Sequence, residues 1–153
     1  MYENEFANGG PQVSMDDLQH AEADMGVQLP QDFKDYLLFA NGGVPSKAYW
    51  PIDGGEYLWV KRFLSLKDSL GRGRPIEETY ALGLQKAFLS PNLIPFAIDH
   101  GGNYFCLDRD GVYFYVVDAW RAEVGFEENA RHAKRHLTDG IRSFINGLEE
   151  DGY

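Results

Sequence analysis

Positive charge and cysteine are the two things this sequence has little of. Its 153 residues carry 14 Lys+Arg against 24 Asp+Glu, a net charge of −10. A protein that tracks phosphates needs a basic face to displace counterions, so the balance argues against a nucleic-acid binder. The same shortage disfavours docking on anionic lipid. The single cysteine, Cys106, excludes an internal disulfide. No apolar run approaches the 18 or so residues a membrane helix needs. The opening MYENEFANGGPQ lacks the basic and apolar regions of a secretory signal, and no Asn-x-Ser/Thr acceptor occurs. A cytoplasmic location is the simplest expectation.

What is present is ample core material. Hydrophobic residues make up 44 % of the chain, with 3 Trp, 9 Tyr and 10 Phe. A chain near 150 residues buries about 70 % of its unfolded surface as one domain. Residues 1–12 read as a polar, frayed leader, and 13–150 as a single domain.

The helical signals come first. Ser14 with Asp17 forms a carboxylate version of the capping box, and Asp16 and Asp17 sit at the positive end of the helix dipole. Leu18, Ala21 and Met25 follow at helical spacing, and Gly26 suits the left-handed residue after a helix. Pro30 opens a second helix with Phe33, Leu37 and Ala40 on one stripe, closed by Asn41-Gly42-Gly43.

From Val44 the texture turns to strands. A hairpin is expected around Asp53–Glu56, with Glu56–Leu66 as its longer strand. Gly71-Arg72-Gly73-Arg74-Pro75 reads as a basic loop and Glu77–Leu89 as a helix weakened by Gly83. Strands at Leu93–Ile98, Asn103–Leu107 and Val112–Val117 alternate with the turns Asp99-His100-Gly101-Gly102 and Asp108-Arg109-Asp110-Gly111. Their unbroken apolar content predicts a β-meander covered at least partly on both faces. After an Asp118–Asn129 loop, Arg131–His136 reads as a solvated helix face. Thr138 is placed to cap a last helix carrying Ile141, Phe144, Ile145 and Leu148. The fold class is therefore α+β: a mainly antiparallel, twisted sheet flanked by an N-terminal helix pair and a C-terminal helix.

No catalytic or metal motif emerges. Cys106 sits between Phe105 and Leu107 in a strand, where a thiol is buried rather than nucleophilic. His132 and His136 are four apart, but Arg131, Lys134 and Arg135 would repel a cation. Gly71-x-Gly73 lacks the context of a dinucleotide loop, and Asp108–Gly111 has the wrong spacing and flanks for a calcium loop. Glu77-Glu78 and Glu149-Glu150 are adjacent pairs on helices, so their carboxylates diverge. Asp99-His100 is half of a dyad without a local nucleophile. No cofactor is expected.

A surface remains. Tyr49, Trp50, Tyr57 and Trp59 crowd together with Asp53 and Glu56, and Trp and Tyr dominate interface hot spots. The negative charge is also uneven: net −8 over residues 1–60, +3 over 61–98, −5 over 99–128 and 0 thereafter. Asp99, Asp108 and Asp118 add acids around the meander turns. Together these nine residues form a candidate face for a basic protein partner.

The string Glu22-x-x-Met25-Gly26-x-x-Leu29-Pro30-x-x-Phe33-Lys34-x-Tyr36-Leu37, followed by Asn41-Gly42-Gly43, resembles the opening helices of SMI1/KNR4 domains (the SUKH superfamily). Ile94-Pro95-Phe96-Ala97 with Asp99-x-Gly101-Gly102-Asn103, then Leu107-Asp108 through Val112-Tyr113 to Asp118, is similar to that family's central hairpins. Ser143-Phe144 with Leu148 resembles its closing segment. Met25 stands where Leu is usual, and the 44–92 region departs in length. The resemblance implies a non-enzymatic α+β domain, in bacteria an immunity protein that neutralises a cognate polymorphic toxin, often a nuclease. A scaffold for a cellular protein is the alternative. It also implies that Leu29, Pro30, Asn41, Gly42, Gly101 and Gly102 shape the fold rather than touch a substrate.

Overall fold

Ser14 starts the first helix in the way its sequence dictates. In a computed structural model, which describes residues 2–67, 74–86, 89–116 and 134–150, the Asp17 amide donates to the Ser14 hydroxyl at 3.2 Å. The Ser14 amide donates to the Asp17 carboxylate at 2.9 Å, completing the capping box. Helix α1 (Met15–Met25) buries Leu18, Ala21 and Met25 and ends on Gly26 in the left-handed region. The tight link that follows is pinned by Glu22, whose Oε2 accepts from the Leu29 amide at 2.8 Å. Helix α2 (Gln31–Phe39) follows Pro30 and buries Phe33, Tyr36 and Leu37.

Strands β1 (Phe6–Ala7) and β2 (Val44–Pro45) form a small antiparallel pair. This overturns the expected frayed start. Asn4 is buried, and its Oδ1 accepts from the Glu5 and Lys47 amides at 2.9 and 3.0 Å. The Phe6 ring packs against Tyr36 and Phe63. Aromatic side chains at positions 2 and 6 within a polar stretch were enough to tie it down.

The main sheet has six strands, β3 (Tyr49–Ile52), β4 (Glu56–Phe63), β5 (Ile94–Asp99), β6 (Tyr104–Asp108), β7 (Gly111–Tyr115) and β8 (Lys134–Thr138). Every pairing is antiparallel and the spatial order follows the chain, an uninterrupted meander. The hairpin at 53–55 and the meander strands lie where the residue pattern placed them. β8 does not: the basic stretch predicted as a helix face is an edge strand from Lys134, pairing with β7. Helix propensity lost here to the unsatisfied edge of a wholly buried strand, since every residue of β7 is buried.

Helix α3 (Ile76–Gln85) and helix α4 (Ile141–Gly147) complete the described elements. Thr138 does not cap α4. Gly140 holds that position, the Ile141 amide donates to Asp32 Oδ2 at 3.3 Å, and the Thr138 and Ser143 hydroxyls lie 2.9 Å apart. Glu149-Glu150 likewise lies beyond the helix, and Glu149 instead bridges Tyr49.

The helices cover one face of the sheet through a core centred on Phe33, Phe63, Phe96, Phe105 and Phe144, all below 2 % exposure. A smaller cluster of Leu89, Leu93, Cys106, Tyr113 and Tyr115 covers part of the other face. Both faces of the central strands are thus buried, as their apolar content requires. The loops at 71–73 and 118–129 and His132 lie outside the described residues.

Candidate protein-binding surface

Alternation along the β3–β4 hairpin sorts the aromatic residues. The register pairs Tyr49 with Trp59 and Trp50 with Leu58. Neighbouring side chains on a strand point to opposite faces, so Trp50 and Leu58 turn inward while Tyr49, Tyr57 and Trp59 turn outward. Trp50 stacks on Phe144 with centroids 5.1 Å apart, and a Cβ added at Gly147 would come within 2.6 Å of its ring. Trp50 is therefore half-buried against the core and faces away from the outward set.

The outward set forms a row. Tyr49 and Trp59 are nearly parallel (20°) with centroids 5.6 Å apart, and Tyr57 meets Tyr49 edge-on at 6.2 Å. His100, from the turn after β5, lies against Trp59 at 3.8 Å. The Tyr57 hydroxyl donates to Glu149 Oε1 at 3.4 Å, and Glu149 exchanges backbone hydrogen bonds with Tyr49. Sequence reasoning missed both His100 and Glu149 here. A hairpin register would have found the first, since Val60 pairs with Asp99. Only the true end of α4 places the second.

The acids divide into used and exposed. Asp53 and Glu56 are exposed at the hairpin tip. Asp99 is occupied: Oδ1 accepts from the Gly101 and Asn103 amides at 2.9 and 2.7 Å, and Oδ2 from the Asn103 side chain at 3.1 Å. Gly102 turns this loop with φ of 88°. Asp108 is a turn residue as well, accepting from the Asp110 and Gly111 amides at 2.8 and 3.1 Å. It stands at the other end of β6 from the Asp99 turn, roughly 15 Å away by strand rise. It lines a separate cavity of about 900 Å³ with Glu22, Gly26, Gln28, Asn92 and Arg109. The structure thus gathers Tyr49, Tyr57, Trp59, Asp53 and Glu56 and sets Asp108 apart. Asp118 lies outside the described residues.

The cysteine sits where nucleophilic chemistry is hard. Cys106 is fully buried, and burial raises its thiol pKa far above the ordinary range, with Lys134 only partly offsetting this. Burial also raises the Tyr115 phenol. His136 lies on β8, with its ring 5.4 Å from Tyr113 and its Nε2 4.0 Å from Asp139. Among the described residues no three of His, Cys, Asp and Glu converge on one point, and no helix is long and apolar enough to cross a membrane.

The motif residues build the frame. Asn41 donates to the carbonyls of Pro11 and Leu66 and accepts from the Leu66 amide at 2.7 Å. Gly42, at φ of 76°, lets Leu64 approach so closely that a Cβ would lie 2.7 Å from its carbonyl oxygen. A meander backed by helices, with an aromatic row on its outer face, is the architecture of a small α+β domain. The chain matches the SMI1/KNR4 family (SUKH-1) over residues 12–147 and belongs to it. That family is known for immunity proteins and is generally non-catalytic. None of the curated proteins matches the chain significantly.

Proposed function

We propose that this protein is a non-enzymatic immunity protein that binds a cognate bacterial toxin domain in the cytoplasm and occludes its active site. Membership of the SMI1/KNR4 family across residues 12–147 carries the proposal. The outward row of the β3–β4 hairpin supports it, because half-exposed Trp and Tyr side chains are the commonest anchors of protein interfaces. The net charge of −10 favours a basic, nucleic-acid-cleaving toxin as the partner. Opposite charge speeds encounter, so association slows as salt is added.

Co-expression with the toxin encoded beside its gene tests the proposal. Growth should be rescued, and the purified pair should associate more slowly at about 0.5 M than at about 0.05 M salt. Rescue failing for every neighbouring toxin would refute the immunity role. Steady capture of a housekeeping protein without rescue would assign a scaffold role instead.

A further inference from the structure

Trp59 is 49 % exposed although it lies within a paired strand whose opposite face feeds the core. Parallel rings in full contact sit about 3.5–4 Å apart. Tyr49 and Trp59, at 20° and 5.6 Å, are therefore slid past each other, and Trp59 stays half exposed even with His100 against it at 3.8 Å. Tyr57 and His100 extend the row at either end. Carboxylates flank it: Glu149, followed by the exposed Glu150, accepts from the Tyr57 hydroxyl, and Asp53 and Glu56 are exposed at the hairpin tip. Lys47, Lys61 and Arg62 are the cations of the hairpin and its flank, and Arg62 donates to the Asn8 carbonyl, so the four acids still outnumber the bases around the row.

We infer that this row is a platform for an arginine side chain of the protein partner, the guanidinium stacking on the Trp59–Tyr49 step with Glu149 within reach of its N–H groups. The inference rests on the protein-binding reading above and adds the face and the anchor. Arginine fits better than lysine because its guanidinium is planar, weakly hydrated and able to stack and donate hydrogen bonds at once. A nucleobase could stack equally well, but its phosphates would be repelled by the carboxylates.

The test uses the full chain and two hexapeptides of equal charge, hexa-arginine and hexa-lysine. Binding is followed in every variant by the NMR signals of the β3–β4 backbone amides, and in the wild type also by the Trp59 indole N–H, at about 0.05 M salt, where screening is weak. Hexa-arginine should bind at least about threefold more tightly than hexa-lysine and shift the Trp59 signal. Trp59→Ala should abolish that preference, and Trp59→Phe should keep part of it. Circular dichroism confirms that each variant folds. Equal binding of the two peptides by the wild type, or a preference that survives Trp59→Ala, would overturn the platform. A comparable Trp59 shift from a hexathymidylate oligonucleotide would overturn it too. Cell protection is read separately. Protection without arginine preference refutes the platform alone, and preference without protection refutes the immunity role alone.

Discussion

Removing the Asn41 amide would strip partners from the Pro11 carbonyl and from both backbone groups of Leu66 at once. The residue is 5 % exposed, so water does not easily replace them. Each unsatisfied buried group costs about 1–3 kcal/mol. Asn41→Ala should therefore lose about 3 kcal/mol, read as a lower midpoint in urea with an unchanged slope. The Asn41-Gly42 pair was legible as a helix stop, but not as the clamp between Pro11 and Leu66, because those partners come from distant parts of the chain. Gly83 shows the same gap. Its sequence meaning is a weak helix, and Ala on an exposed helix would gain about 1 kcal/mol over Gly. Here Gly83 is buried, and an added Cβ would collide with the Leu89 side chain. Overpacking costs about 1–3 kcal/mol, which outweighs the propensity gain. Gly83→Ala should lower the unfolding temperature, and Leu89→Ala introduced with it should cost less than the two single changes added together. Simple additivity would refute the collision.

At the scale of elements, legibility followed periodicity. Helix α1, the 53–55 turn and the meander strands carry local signals of cap, turn chemistry and apolar spacing, and these elements formed in place. β8 carries none: Lys134-Arg135-His136-Leu137-Thr138 has neither a clean alternation nor an apolar face, and it is a strand because β7 has an edge to satisfy. The aromatic row was half legible. Composition marked the cluster, whereas only the register separated inward Trp50 from outward Trp59. The cap of α1 makes a prediction at this scale. A hydrogen bond from Lys67 and the Ser14 amide hold the Asp17 carboxyl at about 2, below its ordinary value of 3.8. A carboxylate with a lowered pKa stabilises the fold fully above its unfolded value, and that contribution disappears as pH falls through the folded value. Stability should thus decline between about pH 4 and pH 2, and Asp17→Asn should flatten this part of the profile. A Lys67→Ala change should shift the decline to higher pH. Identical profiles for wild type and Asp17→Asn across that window would rule the cap out as the source.

At the scale of the whole molecule, the two ends of the chain clasp the same structure. The Glu3 amide donates to Asn146 Oδ1 at 2.8 Å, Tyr2 packs on Tyr36 and Phe39, and Phe6 packs against both Tyr36 and Phe63. The Gly10 amide donates to the Asn41 carbonyl at 2.8 Å, closing this strap against the helix pair. From the other end, Glu149 pairs with Tyr49 at the sheet edge. The strap precedes the family match, which begins at residue 12, and the principal core lies within that match. A chain lacking residues 2–10 should therefore still fold. It gives up two partly buried aromatic side chains, worth about 1–2 kcal/mol each, and several hydrogen bonds at about 1 kcal/mol each net. The loss should be several kcal/mol, a large part of the roughly 5–15 kcal/mol that holds a domain together. Urea unfolding should show a lower midpoint, and hydrogen exchange should accelerate first in α2 and around Phe63, where the strap lies. The outward row of the β3–β4 hairpin does not touch the strap through any ring contact described above, so the truncated chain should keep its preference for hexa-arginine over hexa-lysine. An unchanged midpoint would show that the strap is held by the fold without holding it.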